Sequence, residues 1–178
     1  MKKFLALLLI FVLACSVATS FAEETTVSES KFETVLLKKG SLLLKEWIDY
    51  CEIVPSYASY PMIFQTARVV DIETGEEFYA LRIEYPDYNR SVFGVMDADE
   101  IDGAIETLEY VKKHIYELKD YSEVTYTASS GVKVGGYHTG VRDKAFIQLN
   151  SNQTYSFDME SIDELINAFK GVKATFAQ

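Results

Sequence analysis

Two stretches of the chain carry the same residue pattern at a constant offset, and this repetition constrains the fold more than any other feature. The first stretch, DADEIDGAI, begins at Asp97, and the second, DMESIDELI, begins at Asp158. Both have isoleucine at the fifth and ninth positions, the spacing of one face of an amphipathic helix. Each stretch follows a short strand-like segment that comes after three longer ones. The sequence therefore predicts an internal duplication of a ββββα unit.

The acidic residues that open both stretches match the chemistry of helix N-termini. We expect Asp97 to be the N-cap of the first helix, with Glu100 completing a capping box, and Asp158 to be the N-cap of the second. Gly171 stands where a glycine commonly ends a helix. A calcium loop is the alternative, but an EF-hand needs an oxygen ligand at its fifth position and glycine at its sixth. Counting from Asp97 finds isoleucine and aspartate there, so helix capping is the preferred interpretation.

The segments before each helix alternate apolar and polar residues, which is typical of half-buried strands. Residues 79–85 show the alternation clearly, after a turn at Thr74-Gly75. Lys39-Gly40-Ser41 separates two apolar runs and predicts a hairpin, with one extra strand over residues 32–37. A continuous helix there is the alternative, but Gly40 in its interior would cost about 1 kcal/mol.

These patterns together predict an α+β fold with antiparallel sheets and two helices. We expect one extra strand followed by two ββββα units. The folded part is predicted to be a single domain over residues 32–178, with pseudo-repeats at about 42–116 and 122–173.

The first 22 residues have the features of an export signal. Two lysines precede an apolar run from Phe4 to Ala14, and small residues follow. We expect cleavage after Ala22, a flexible leader over residues 23–31, and a periplasmic or secreted product. The alternative is a lipoprotein with a structural role in the cell envelope, because Val12-Leu13-Ala14-Cys15 resembles a lipobox and would place the lipid on Cys15. A membrane is an expected partner only in that case.

Charge and composition argue against several classes of function. The chain has 17 basic and 27 acidic residues, and a negative field of this kind repels phosphate backbones and anionic lipids. Nucleic acid is therefore an unfavoured partner. Its two histidines, His114 and His138, lie apart in the sequence, and no nucleophile–base pattern or zinc-ligand spacing accompanies them. The sequence predicts no catalytic residues, no metal site and no cofactor.

Tyrosine is the unusual component, with 12 residues in the chain. Tyr57 and Tyr60 fall between two prolines, Tyr85 and Tyr88 flank a third, and Trp47 lies in the preceding strand. Alternate connections of an antiparallel meander emerge at the same end of a sheet, so these side chains could form one rim. Tyrosine offers a flat apolar face and a polar tip, which suits a protein, peptide or glycan partner. The alternative is that tyrosine simply covers an exposed sheet.

The predicted layout resembles the Whirly and PUR-type fold, which is built from two tandem ββββα units. Lys39, Gly40 and Leu44 match a Whirly motif segment near the start of the sheet, whereas Ser41 stands where that family has lysine. The resemblance implies the fold, and it implies single-stranded nucleic-acid binding as an alternative function. The chain also looks like small exported bacterial proteins of unknown function. From the residues themselves, we expect an exported, non-catalytic binding protein.

Overall fold

The computed structural model describes residues 29–86 and 90–177. The predicted signal peptide, Cys15, residues 23–28 of the predicted leader, and Tyr88 lie outside the described residues. The helices are α1 (Lys31–Leu36), α2 (Ile101–His114) and α3 (Ile162–Thr175). The strands are β1 (Leu43–Ile53), β2 (Met62–Asp71), β3 (Glu77–Pro86), β4 (Ser91–Asp97), β5 (Ser122–Thr127), β6 (Lys133–His138), β7 (Asp143–Asn150) and β8 (Gln153–Asp158). Short 3₁₀ turns at Ile115–Glu117 and Met159–Ser161 follow α2 and precede α3.

The strands form two four-stranded antiparallel sheets, each in sequence order. The first sheet runs β1-β2-β3-β4 and is followed by α2, and the second runs β5-β6-β7-β8 and is followed by α3. The predicted α+β class and the tandem ββββα layout are therefore confirmed.

Each of the two long helices packs on the sheet of the other unit. Helix α2 contacts β5 and β6, whereas α3 contacts β1, β2 and β3, and the two helices contact each other. Leu108 of α2 and Phe169 of α3 are both fully buried in the shared core. Phe169 meets Phe64 of β2 edge-on at a centroid distance of 5.9 Å. Because the core is made between the units, neither unit encloses a core by itself.

The prediction of an extra strand over residues 32–37 is wrong, because this segment forms α1. Phe32 is buried, and Val35 and Leu36 are partly buried against the same cluster, so the apolar residues follow helical spacing. They cover the face of the first sheet that α3 does not contact, at Ala67 and Val95. Ser30 Oγ accepts from the Glu33 amide at 3.2 Å and caps the helix. Ser30 is only 1% exposed, so the folded structure extends into the segment predicted to be a flexible leader.

The predicted N-caps are also wrong, although half of the capping box forms. The residues directly before α2 and α3 are Glu100 and Ser161, and neither side chain caps its helix. Glu100 Oε2 does accept from the Asp97 amide at 3.2 Å. The Asp97 carboxylate instead accepts from Ser30 Oγ, at 2.7 Å, and from two amides at the start of α1. Asp158 likewise bonds a distant loop, described below.

Gly171 does not end the last helix as predicted, because α3 continues to Thr175. A Cβ atom at Gly171 would lie 1.9 Å from the hydroxyl oxygen of Tyr50 on β1. The glycine therefore allows the helix and the edge of the first sheet to approach closely.

Candidate functional site

The loop between β1 and β2, residues 54–61, crosses from the first unit to the edge of the second sheet. The Ser56 amide donates to the Ser156 carbonyl of β8 at 2.7 Å. Ser56 Oγ donates to Asp158 Oδ2 at 2.7 Å. These two bonds fix the loop against the end of β8.

Tyr57 occupies a strained position in this loop. The Ala58 amide donates to the Pro55 carbonyl at 3.2 Å, which closes a tight turn with Tyr57 at its third position. Its φ of 64° is a conformation that favours glycine and costs other residues roughly 1–2 kcal/mol. Tyr57 is nevertheless 91% exposed, so burial of its ring does not compensate for the backbone strain.

Lys144 of β7 is held directly beneath this ring. The residue is 7% exposed, its ammonium lies 5.3 Å from the Tyr57 ring centroid, and it pairs with Asp158 Oδ1. The Asp158 carboxylate raises the pKa of Lys144. In return, Lys144 and then the Ser56 hydroxyl lower the pKa of Asp158. Lys144 is therefore a fixed cation.

That charge state argues against catalysis at this position. Lys144 Nζ lies 3.4 Å from Ser56 Oγ, which is the composition of a serine–lysine nucleophilic pair. A lysine base must lose its proton to activate a serine, and Asp158 acts in the opposite direction. The Ser56 hydroxyl also donates to Asp158, so this cluster positions the loop.

A cleft of about 440 Å³ opens beside this cluster. Four tyrosines line it: Tyr57 of the loop, Tyr85 of β3, Tyr137 of β6 and Tyr155 of β8. The rings of Tyr85 and Tyr155 lie 4.4 Å apart and tilted by 35°. Hydroxyl side chains of the second sheet also line the cleft, including Ser156, whose Oγ is 3.4 Å from the Tyr137 hydroxyl. We call this site the tyrosine cleft.

Arg142 adds a second cation to the tyrosine cleft. It lies in the exposed loop between β6 and β7, and it forms no ion pair within the described residues. Together with Tyr57 and Lys144 it also lines an adjoining groove of about 370 Å³, which reaches Tyr116. Of the two cations that line this region, Lys144 is paired with Asp158, whereas Arg142 has no ion-pair partner in the described residues and is available to a ligand.

The structure brings together only part of the predicted tyrosine rim. Tyr57 and Tyr85 line the tyrosine cleft, and Tyr60 is half-buried in the same loop without lining it. Tyr88 lies outside the described residues. Trp47 does not line the tyrosine cleft. It lies on the face of the first sheet that α1 covers, and its ring centroid is 6.0 Å from that of Phe32.

Sequence reasoning missed the contribution of the second unit: Tyr137, Arg142, Lys144 and Tyr155. No local pattern marks these residues. Their common feature is their place on β6, β7, β8 and the β6–β7 loop, near the point where the loop of the first unit docks. Only the packing of one unit on the other reveals this placement.

Comparison with protein-family models, with curated proteins and with solved structures found no match to this chain. Among residues 29–86 and 90–177, no helix has the length and apolar character needed to cross a membrane. Within the same residues, His, Cys, Asp and Glu side chains form no group of three or more that could hold a metal ion.

Proposed function

We propose that this chain is an exported, non-catalytic binding protein whose tyrosine cleft takes a short acidic glycan. The observation that carries the proposal is Tyr57, an exposed ring kept at a strained backbone position above a fixed cation. Strain of this kind persists where the surrounding structure enforces it, and it concentrates at ligand-binding sites.

The chemistry of the lining favours a sugar. Tyrosine rings present flat apolar faces to the C–H faces of a sugar ring, and their hydroxyls bond its polar edge. Ser56, Thr154 and Ser156 add further hydroxyls to the wall of the cleft. A shallow site of this composition suits a ligand that offers both apolar and hydroxyl surface.

The guanidinium of Arg142 favours an acidic sugar in the cleft, whereas the carboxylates of the adjoining groove, Asp143, Asp158 and Glu160, restrict the length of such a ligand. Arg142 lines the cleft without an ion-pair partner in the described part of the chain, and a guanidinium binds a carboxylate through two parallel hydrogen bonds. The whole chain has a net charge of −10, which repels long polyanions. A short uronic-acid oligosaccharide offers a carboxylate to Arg142 and carries few charges. A nucleic acid also offers anionic groups to Arg142, but it is a long polyanion that the acidic chain repels.

The test is calorimetric titration of protein purified from cells that express the full chain. We expect binding of trigalacturonic acid and weaker binding of galactotriose, which has the same length and no charge. Arg142→Ala should weaken binding of the acidic sugar alone. A single-stranded oligonucleotide in the same assay covers the alternative function, which salt-sensitive binding would support.

Tyr57→Gly is the decisive variant, because it should separate stability from binding. Relief of strain, roughly 1–2 kcal/mol, is partly offset by the greater freedom of unfolded glycine, roughly 0.5–1 kcal/mol. We expect the free energy of unfolding to stay constant or to rise by up to about 1.5 kcal/mol, while sugar affinity falls at least about tenfold.

Tyr121 provides a matched control for this experiment. It has a φ of 62° and is 86% exposed, but it lies directly before β5 and does not line the tyrosine cleft. Tyr121→Gly should change stability in the same direction and leave sugar binding intact. Equal binding by wild type and Tyr57→Gly would refute the proposed site, as would the absence of binding to either sugar at millimolar concentration.

A further inference from the structure

Strand β1 has an open outer edge. At 11 residues it is the longest strand in the described part of the chain, where it lies at the end of the first sheet and pairs only with β2. Within the described residues, no backbone hydrogen bond reaches the other side of β1. An edge of this kind presents a row of unpaired N–H and C=O groups to any further strand.

Other sheet edges are covered or short. The edge of β8 receives the Ser56 amide, β4 packs against β7, and β5 has only six residues. By contrast, β1 carries four large exposed apolar side chains: Leu44, Trp47, Ile48 and Tyr50, which are 44%, 43%, 58% and 46% exposed. This combination of length, open backbone and apolar surface indicates a site for pairing with another strand.

The charges on β1 complement those of a second copy of the same strand. A two-fold axis at Trp47, perpendicular to the sheet, would place Lys45 opposite Asp49 of the second copy, twice per interface. Lys45 forms no ion pair within the described residues. Asp49 uses Oδ1 to accept from Gln65 Nε2 at 2.6 Å, which leaves its second oxygen available.

The regular part of the strand and its charges select this register. The β1–β2 pairing shifts between Asp49 and Cys51, so uninterrupted pairing on β1 ends at Asp49. An axis at Glu46, the centre of the regular segment, would set two glutamates opposite each other, and directly opposed like charges destabilise a strand pair. The axis at Trp47 replaces that repulsion with two opposite-charge pairs and a central pair of aromatic rings.

We propose that two copies of this chain pair antiparallel along the outer edge of β1, centred on Trp47, and join their first sheets into one eight-stranded sheet. The dimer would cover the apolar side chains of β1 and satisfy its free backbone groups. It uses neither the loop nor the second sheet, so it is independent of the tyrosine cleft.

Sedimentation equilibrium on protein purified from cells that express the full chain tests this proposal. We expect a reversible dimer. Lys45→Glu and Asp49→Lys should each turn two attractive pairs into repulsive ones and raise the dimer dissociation constant by about tenfold or more. An equimolar mixture of the two variants should recover the wild-type constant, because every charge pair in the heterodimer is attractive again. Lys113→Glu, an exposed change of equal charge on α2, should leave dimerisation unchanged.

A cysteine cross-link provides a second measurement that does not depend on the fold of the Asp49 variant. In a Cys51→Ser background, Trp47→Cys would bring two cysteines to the two-fold axis, where facing Cβ atoms lie about 4.5–5.5 Å apart, close enough for a disulfide to form with a small adjustment. Oxidation should give a covalent dimer, whereas Ile72→Cys in the turn after β2 should not. The proposal would be overturned if the wild type stayed monomeric at about 0.1 mM, because even a weak dimer is populated at this concentration. Charge variants that dimerise like the wild type, or a mixture that does not recover, would also overturn it.

Discussion

Asp97→Ala should destabilise this protein far more than the loss of an ordinary helix cap. Asp97 is 4% exposed, and its carboxylate accepts three hydrogen bonds. These come from Ser30 Oγ at 2.7 Å, the Lys31 amide at 2.6 Å and the Phe32 amide at 3.1 Å. The carboxylate therefore holds the first turn of α1 against the end of β4.

The magnitude follows from the burial of these partners. Removing the acceptor leaves the Ser30 hydroxyl and the Phe32 amide unpaired in buried surroundings, while water can reach Lys31. Each unsatisfied buried group costs about 1–3 kcal/mol, so we expect a loss of about 3 kcal/mol. A local N-cap would lose only about 1 kcal/mol. Asp97→Asn keeps one acceptor but loses the charge, and we expect it to cost about 1–2 kcal/mol.

Urea unfolding followed by circular dichroism measures these differences. Asp99→Ala is the matched control, because the Asp99 side chain is 62% exposed and pairs with Lys31 at the surface. A solvent-exposed pair of this kind contributes little to stability. Hydrogen exchange should also show faster exchange in α1 of the Asp97→Ala variant. The tertiary role would be contradicted by three results together: Asp97→Ala lowers the free energy of unfolding by only about 1 kcal/mol, Asp97→Asn is as stable as the wild type, and hydrogen exchange in α1 is unchanged. These results would favour a local cap.

Two further predictions concern pH and export. Asp143 and then Asp120 raise the pKa of His138 above its ordinary value of 6.5, so the protonated histidine stabilises the fold. The stabilisation from protonated His138 is complete below the pKa of the unfolded state and is lost as the pH rises through the higher pKa of the folded state. His138→Gln should therefore flatten the fall in the free energy of unfolding between these two pKa values. NMR titration of the imidazole checks the direction of the pKa shift. For export, mass spectrometry of the native N-terminus should find Glu23, whereas a diacylglycerol-modified Cys15 would make this chain a lipoprotein.

Periodicity predicted the sheets and the two long helices because alternation and helical spacing both report which side chains are buried. The segment at residues 31–36 was too short for this distinction, since six residues with mixed apolar positions fit either a strand or one and a half helical turns. The Asp97 pattern was ambiguous for another reason. An aspartate three residues before a glutamate fits a local capping box, and nothing nearby shows that Ser30 competes for its carboxylate. The tyrosine cleft was predictable only on its loop side, through Tyr57 and Tyr85.

The repeated aspartate has a related tertiary role in both units. Asp97 is the last residue of β4, and Asp158 is the last residue of β8. Each turns its carboxylate away from the helix that follows and toward a segment distant in sequence, α1 for Asp97 and the 54–61 loop for Asp158. The strand end is the point where a carboxylate can leave the sheet and reach such a segment. Asp158 therefore connects the fold to the proposed site, because the same carboxylate accepts from Ser56 of the loop that carries Tyr57 and pairs with Lys144.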